Sequence, residues 1–101
     1  MSPGRLLLQQ LASELRARGE RIRRSSYAER VEIRVRPQGL HVEVFWKNKS
    51  GEDASWEKLF SLQELLGDSF HLDPLAWQVE KRPCGLSREI AQAVLYQRGV
   101  M

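Results

Sequence analysis

The chain has 101 residues, 42% hydrophobic and 29% charged, and its sixteen Lys/Arg against thirteen Asp/Glu leave a net charge of +3. That length suits one domain with one modest core, and the composition lies far from the disordered class. Apolar runs such as Leu6–Leu8 and Ala93–Tyr96 are too short to cross a bilayer, so no membrane partner is expected.

The charge is unevenly spread. Residues 1–50 carry eleven Lys/Arg against five Asp/Glu, or +6, and residues 51–101 carry five against eight, or −3. A basic half of this kind suits nucleic acid, an anionic membrane surface or an acidic protein. Leu6–Leu8 is followed at once by Gln9-Gln10, which is no secretory pattern, and the single Cys84 excludes an internal disulfide. Both predict a reducing, cytoplasmic setting.

Taken in chain order, Ser2 and Pro3 suit the cap and first turn of a helix. Leu8, Leu11, Leu15 and Ile22 form its apolar stripe, which either stops at Gly19 or runs on to about Arg24. A hairpin follows. In Arg30–Arg36 the residues Val31, Ile33 and Val35 alternate with charged ones, and in Leu40–Lys47 the residues Leu40, Val42, Val44 and Trp46 alternate with His41, Glu43, Phe45 and Lys47. Matching the apolar faces pairs Val35 with Leu40 and Ile33 with Val42. A three-residue loop with Gly39 in a bulge would pair Arg36 with Leu40 instead, and the first register is favoured because burial of one face fixes pairing.

Asn48–Asp53 reads as a polar turn, and Trp56–Phe60 as a third strand or the start of a helix. Ser61-Leu62-Gln63-Glu64 is a capping-box pattern, predicting a short helix Leu62–Leu66 stopped by Gly67. Leu75, Trp77 and Val79 alternate as a further strand after Asp73-Pro74. Arg82-Pro83-Cys84-Gly85 is expected to break the chain before Ser87 caps a last helix. Its buried stripe would be Ile90, Ala91, Val94 and Leu95, and its end Gly99. The sum is a small single-domain α+β sandwich: an N-terminal helix, an antiparallel β-hairpin plus one or two further strands, a short middle helix and a C-terminal helix.

Chemistry-bearing residues are few. Cys84 before a helix start, with His41 and His71 elsewhere, has no nucleophile–base spacing. Asp68 and Asp73 around His71 make no metal motif, and no glycine-rich phosphate loop is present. No catalytic residue, metal or cofactor is therefore expected. The arginines are the strongest signal. Arg16, Arg18, Arg21, Arg23 and Arg24 crowd one helix, where Glu14 to Arg18 and Glu20 to Arg24 are favoured ion pairs and Arg21 and Arg23 have fewer neutralising neighbours. Arg30, Arg34 and Arg36 share one face of the first strand, and the favoured register adds His41, Phe45 and Lys47 to it. Cations mixed with an aromatic ring suit phosphates and an unstacked base.

The helix–strands–helix order is that of the double-stranded RNA-binding domain, yet Ser87-Arg88-Glu89 stands where that family begins its final helix with a lysine cluster. An RNA-recognition-motif aromatic strand, a GXXG loop and zinc-finger spacing are all missing from the sequence. The expectation is thus a non-catalytic accessory protein that contacts nucleic acid, DNA or RNA, through Arg21, Arg23, Arg24, Arg30, Arg34, Arg36, Phe45 and Lys47. The alternative is an adaptor or small subunit docking on an acidic protein partner. It would use an exposed Trp56 together with the apolar segment Leu59–Leu75, which carries Phe60 and Phe70. Trp46 and Trp77 are expected in the core.

Overall fold

A computed structural model describes residues 3–61, 64, 65 and 82–99. Helix α1 (Pro3–Ala17) leads into helix α2 (Gly19–Ser26), then strands β1 (Arg30–Arg36), β2 (Gly39–Lys47) and β3 (Asp53–Ser61), and finally helix α3 (Arg82–Gln97). The strands form one antiparallel sheet in the order β1-β2-β3. The chain is α+β, as its periodicities predict. No helix among the described residues is long and apolar enough to cross a membrane.

The hairpin register is the one that matches apolar faces, with Val35 opposite Leu40 and Ile33 opposite Val42. Strand β2 starts one residue early, at Gly39 opposite Arg36, so Pro37 and Gln38 alone make the turn. Two-residue hairpin turns usually carry positive φ in their central pair. Here neither central residue does, and Gly39 absorbs the mismatch at φ +156°. Strand β3 resolves the ambiguous segment: Trp56 lies opposite Val44 and Phe60 opposite Leu40. The Asn48 side chain shapes the β2–β3 turn, its Oδ1 accepting from the Ser50 and Glu52 amides at 3.1 and 3.0 Å.

One sheet face supplies Ile33, Leu40, Val42, Val44, Trp46 and Phe60 to the core. Leu8, Leu11 and Leu15 of α1, Ile22 of α2, and Leu86, Ile90 and Val94 of α3 meet them there. The first apolar stripe breaks at Arg18, whose φ of −102° and ψ of 6° interrupt the helix, and Gly19 starts α2 rather than ending the segment. Helix α2 closes on a Schellman cap: the Ala28 amide donates to the Arg23 carbonyl at 2.9 Å and the Tyr27 amide to Arg24 at 3.3 Å. Tyr27, left-handed at φ 56°, holds the position that glycine usually takes.

Two expectations for the last helix are corrected. Arg82–Gly85 does not break the chain but forms the first turn of α3, where proline costs no hydrogen bond. Ser87 consequently lies inside the helix and is buried, not at its cap. The helix gives way at Gly99, φ +76°, as expected. Ser61 does act as a cap, its Oγ accepting from the Glu64 amide at 3.1 Å, and Glu64 and Leu65 are helical. The rest of the expected middle helix and the Leu75–Val79 strand fall outside the described residues.

Two substitutions test this backbone. A Cβ on Gly39 would run into the Phe60 carbonyl oxygen and approach Ser61 Cα to 3.0 Å. Gly39→Ala should therefore cost more than about 2 kcal/mol, read as a lowered denaturation midpoint. Tyr27→Gly should raise stability by about 0.5–1 kcal/mol, because an exposed side chain is traded for relief of the left-handed backbone.

Candidate nucleic-acid interface

Period-two alternation places Arg30, Arg34 and Arg36 opposite the core-facing residues of β1, and the register brings His41, Phe45 and Lys47 onto the same outer face. That grouping is as the sequence predicts. The same alternation also delivers carboxylates. Glu32, Glu43 and Glu57 lie directly opposite one another across the three strands, and Asp53 lies opposite Lys47. Glu32 takes Arg34 at 2.6 Å and Arg30 at 3.4 Å, Asp53 takes Lys47 at 3.4 Å, and Glu57 takes His41 Nε2 at 3.1 Å. The Arg30 guanidinium also covers the Phe45 ring, 4.2 Å from its centroid. Four basic residues (Arg30, Arg34, Arg36, Lys47) thus meet four acidic ones (Glu32, Glu43, Asp53, Glu57), and the face has no positive excess.

His41, Glu43 and Glu57 set a nitrogen and two carboxylate oxygens within 4.8 Å of one another, a metal-ligand spacing. The His41 ring argues against that use. Its Nδ1 is buried with no partner. Coordination through Nε2 would leave an Nδ1–H without the acceptor that metal-binding imidazoles ordinarily have. The trio reads as a His41–Glu57 hydrogen bond beside a second glutamate.

The helical arginines lie on the other side of the sheet. Arg16 donates Nε and Nη2 to the Ile33 carbonyl of edge strand β1 at 3.1 and 2.7 Å. Arg18 bonds Glu14 at 3.1 Å, as its spacing predicts. Glu20 takes both Arg23 and Arg24, so Arg23 is better neutralised than sequence spacing suggests. Arg21 has no ion pair or hydrogen bond among the described residues, and neither has Arg36 or Arg88.

Arg21 and Arg88 line the same cleft. It runs between α2 and α3, holds about 240 Å³, and has a floor of Ile22, Ala91 and Leu95 with Ser25 and Gln92 beside it. Leu95, expected in the buried stripe, is half-buried here, and Arg88 was missed because it belongs to the acidic half of the chain. The basic residues therefore do not form one continuous surface. They divide between a neutralised sheet face and a helical face with uncompensated charge.

The expected docking aromatics differ in exposure. Phe60 is 3% exposed within the core, and Trp56 is half-buried against it because β3 turns both toward the helices. Phe70 lies outside the described residues, as does Trp77, while Trp46 is in the core as expected. No protein-family model, curated protein or solved structure matches the chain.

The Glu20 pair has a pH signature. The hydrogen bond from Arg23 is the main cause that lowers the Glu20 carboxyl from 4.5 to about 2; desolvation opposes it, and the charge of Arg23 with the hydrogen bond and charge of Arg24 lower it further. A folded value below the unfolded one stabilises above pH 4.5, and that stabilisation is lost as pH falls through about 2. The melting-temperature gap between wild type and Glu20→Gln, followed by circular dichroism, should close across that window. A gap independent of pH would mean the carboxylate is not coupled to the arginines.

Proposed function

We propose that this protein is a non-catalytic, cytoplasmic binding protein that holds nucleic acid by its backbone phosphates, with its footprint on α2 and the facing part of α3. The observation carrying this reading is the pair Arg21 and Arg88, both exposed and, among the described residues, free of carboxylate partners, on the α2 and α3 sides of one cleft. Helix α2 adds Arg23 and Arg24 against the single acid Glu20, so the surrounding surface keeps a positive excess. Guanidinium groups present paired N–H donors that match phosphate oxygens. Contacts from arginines to backbone phosphates carry no sequence information, so affinity should be dominated by counterion release.

The adaptor alternative has less to draw on. Phe60 is in the core and Trp56 is half-buried against it, which leaves Leu59, 42% exposed, as its anchor among the described residues of the Leu59–Leu75 segment.

Fluorescence anisotropy with labelled DNA and RNA at low and physiological salt tests the reading. Binding at roughly micromolar Kd or weaker is expected, falling steeply with salt. Arg21→Ala with Arg88→Ala should weaken it and reduce the log–log salt slope by roughly 1.4–1.8, the share of two phosphates. Arg34→Ala, which removes a guanidinium already held by Glu32, should change affinity less than about twofold. No binding at low salt would end the proposal.

A further inference from the structure

The cleft between α2 and α3 is more than two charges. A phosphate contact needs only the guanidinium groups of Arg21 and Arg88, yet the floor between them is aliphatic: the half-buried Leu95, with the buried Ile22 and Ala91 beside it. A carboxylate from an acidic protein would leave that floor unused. Ser25 and Gln92, both exposed on the walls, add one hydroxyl and one amide able to donate and accept at the edge of a planar polar group. The volume of about 240 Å³ equals roughly eight waters at ~30 Å³ each, and it lies below the range of about 300–1,000 Å³ typical of drug-sized ligand sites. It has room for one planar ring.

Resting on the phosphate-binding reading above, we infer that this cleft receives one unstacked base of a single-stranded nucleic acid. Arg21 and Arg88 hold the flanking phosphates, Leu95 contacts the face of the ring over the buried Ile22 and Ala91, and Gln92 and Ser25 meet its edge. A duplex gives the arginines the same phosphates but keeps its bases stacked and paired, so the floor stays uncovered. Preference for single strands follows from the floor, while salt dependence follows from the arginines.

The two contributions separate in one experiment. Anisotropy is measured with three labelled DNA ligands of equal length: a single strand, the same strand with the bases removed, and a duplex. The first should bind about 5–10-fold more tightly than the abasic strand or the duplex at the same salt, the gain of burying a small apolar area. Ala91→Leu, which fills the floor, should remove that advantage while leaving duplex binding unchanged, with a thermal melt confirming that the variant folds. Gln92→Ala, on the exposed wall, should lower single-strand affinity alone. If all three ligands bind equally and lose affinity together in the Arg21→Ala/Arg88→Ala protein, the phosphate reading stands and the base-receiving cleft is overturned. If none of them binds, both fall.

Discussion

The β1–β2 register is the constraint on which the remaining structure depends. Side chains in a strand alternate between faces, so a slip of one residue would exchange the buried set for the exposed one. Here Gly39 pins it. It closes a two-residue turn whose central residues cannot supply the usual positive φ, and it lies under the Phe60 carbonyl, where no other residue fits. With Gly39 opposite both Arg36 and Ser61, all three strands are aligned at one point. Val42, Val44 and Trp46 then point to the core together, and Glu32, Glu43 and Glu57 fall in one row on the outside.

Once the inner face is defined, the helices are placed by what they must cover. The break at Arg18 lets Leu15 and Ile22 both reach the sheet, although their seven-residue spacing would also suit one straight helix. The Schellman cap at Tyr27 turns the chain sharply enough for β1 to begin three residues later. Arg98 then ties the far end of α3 to this corner. Its Nη1 donates to the Ser26 and Tyr27 carbonyls at 3.0 and 2.7 Å, and its guanidinium lies 5.3 Å from the centre of a Trp46 ring. The tie holds α3 beside α2, so the cleft is a product of the fold's closure and not of a local motif.

This explains what was legible in the sequence. The hairpin, its register and the apolar stripes of the helices are periodic, and periodicity survives folding because burial enforces it. The paired carboxylates on β1 and β2 were readable too, since Glu32 and Glu43 alternate in phase with the arginines. Asp53 and Glu57 were not, because their place depends on a third strand whose segment also reads as helix. Trp56 was misjudged for a related reason: its neighbours Ser55 and Glu57 are polar, but in a strand they point the other way. Pro83 resembled a breaker because a proline marks a helix start and a helix stop alike. The cleft was invisible, since it joins residue 21 to residue 88 and no local pattern links them.

Counting charge along the chain and locating charge in space are different operations, and the two faces of this protein separate them. Strand alternation interleaves Arg30, Arg34 and Arg36 with Glu32, and cross-strand pairing adds further acids until the outer face sums to zero. Helix α2 follows another rule. Its acids must be three or four residues from an arginine to neutralise it, and Glu20 is the only acid the helix has. Glu20 reaches Arg23 and Arg24 at those spacings, whereas Arg21 is its immediate neighbour in sequence and points elsewhere. The surplus of the N-terminal half is thereby carried to the helical side, where α3 contributes Arg88 from the half that is acidic in sum. Arginine number did not select that site. It follows from which arginines the local geometry denies a carboxylate.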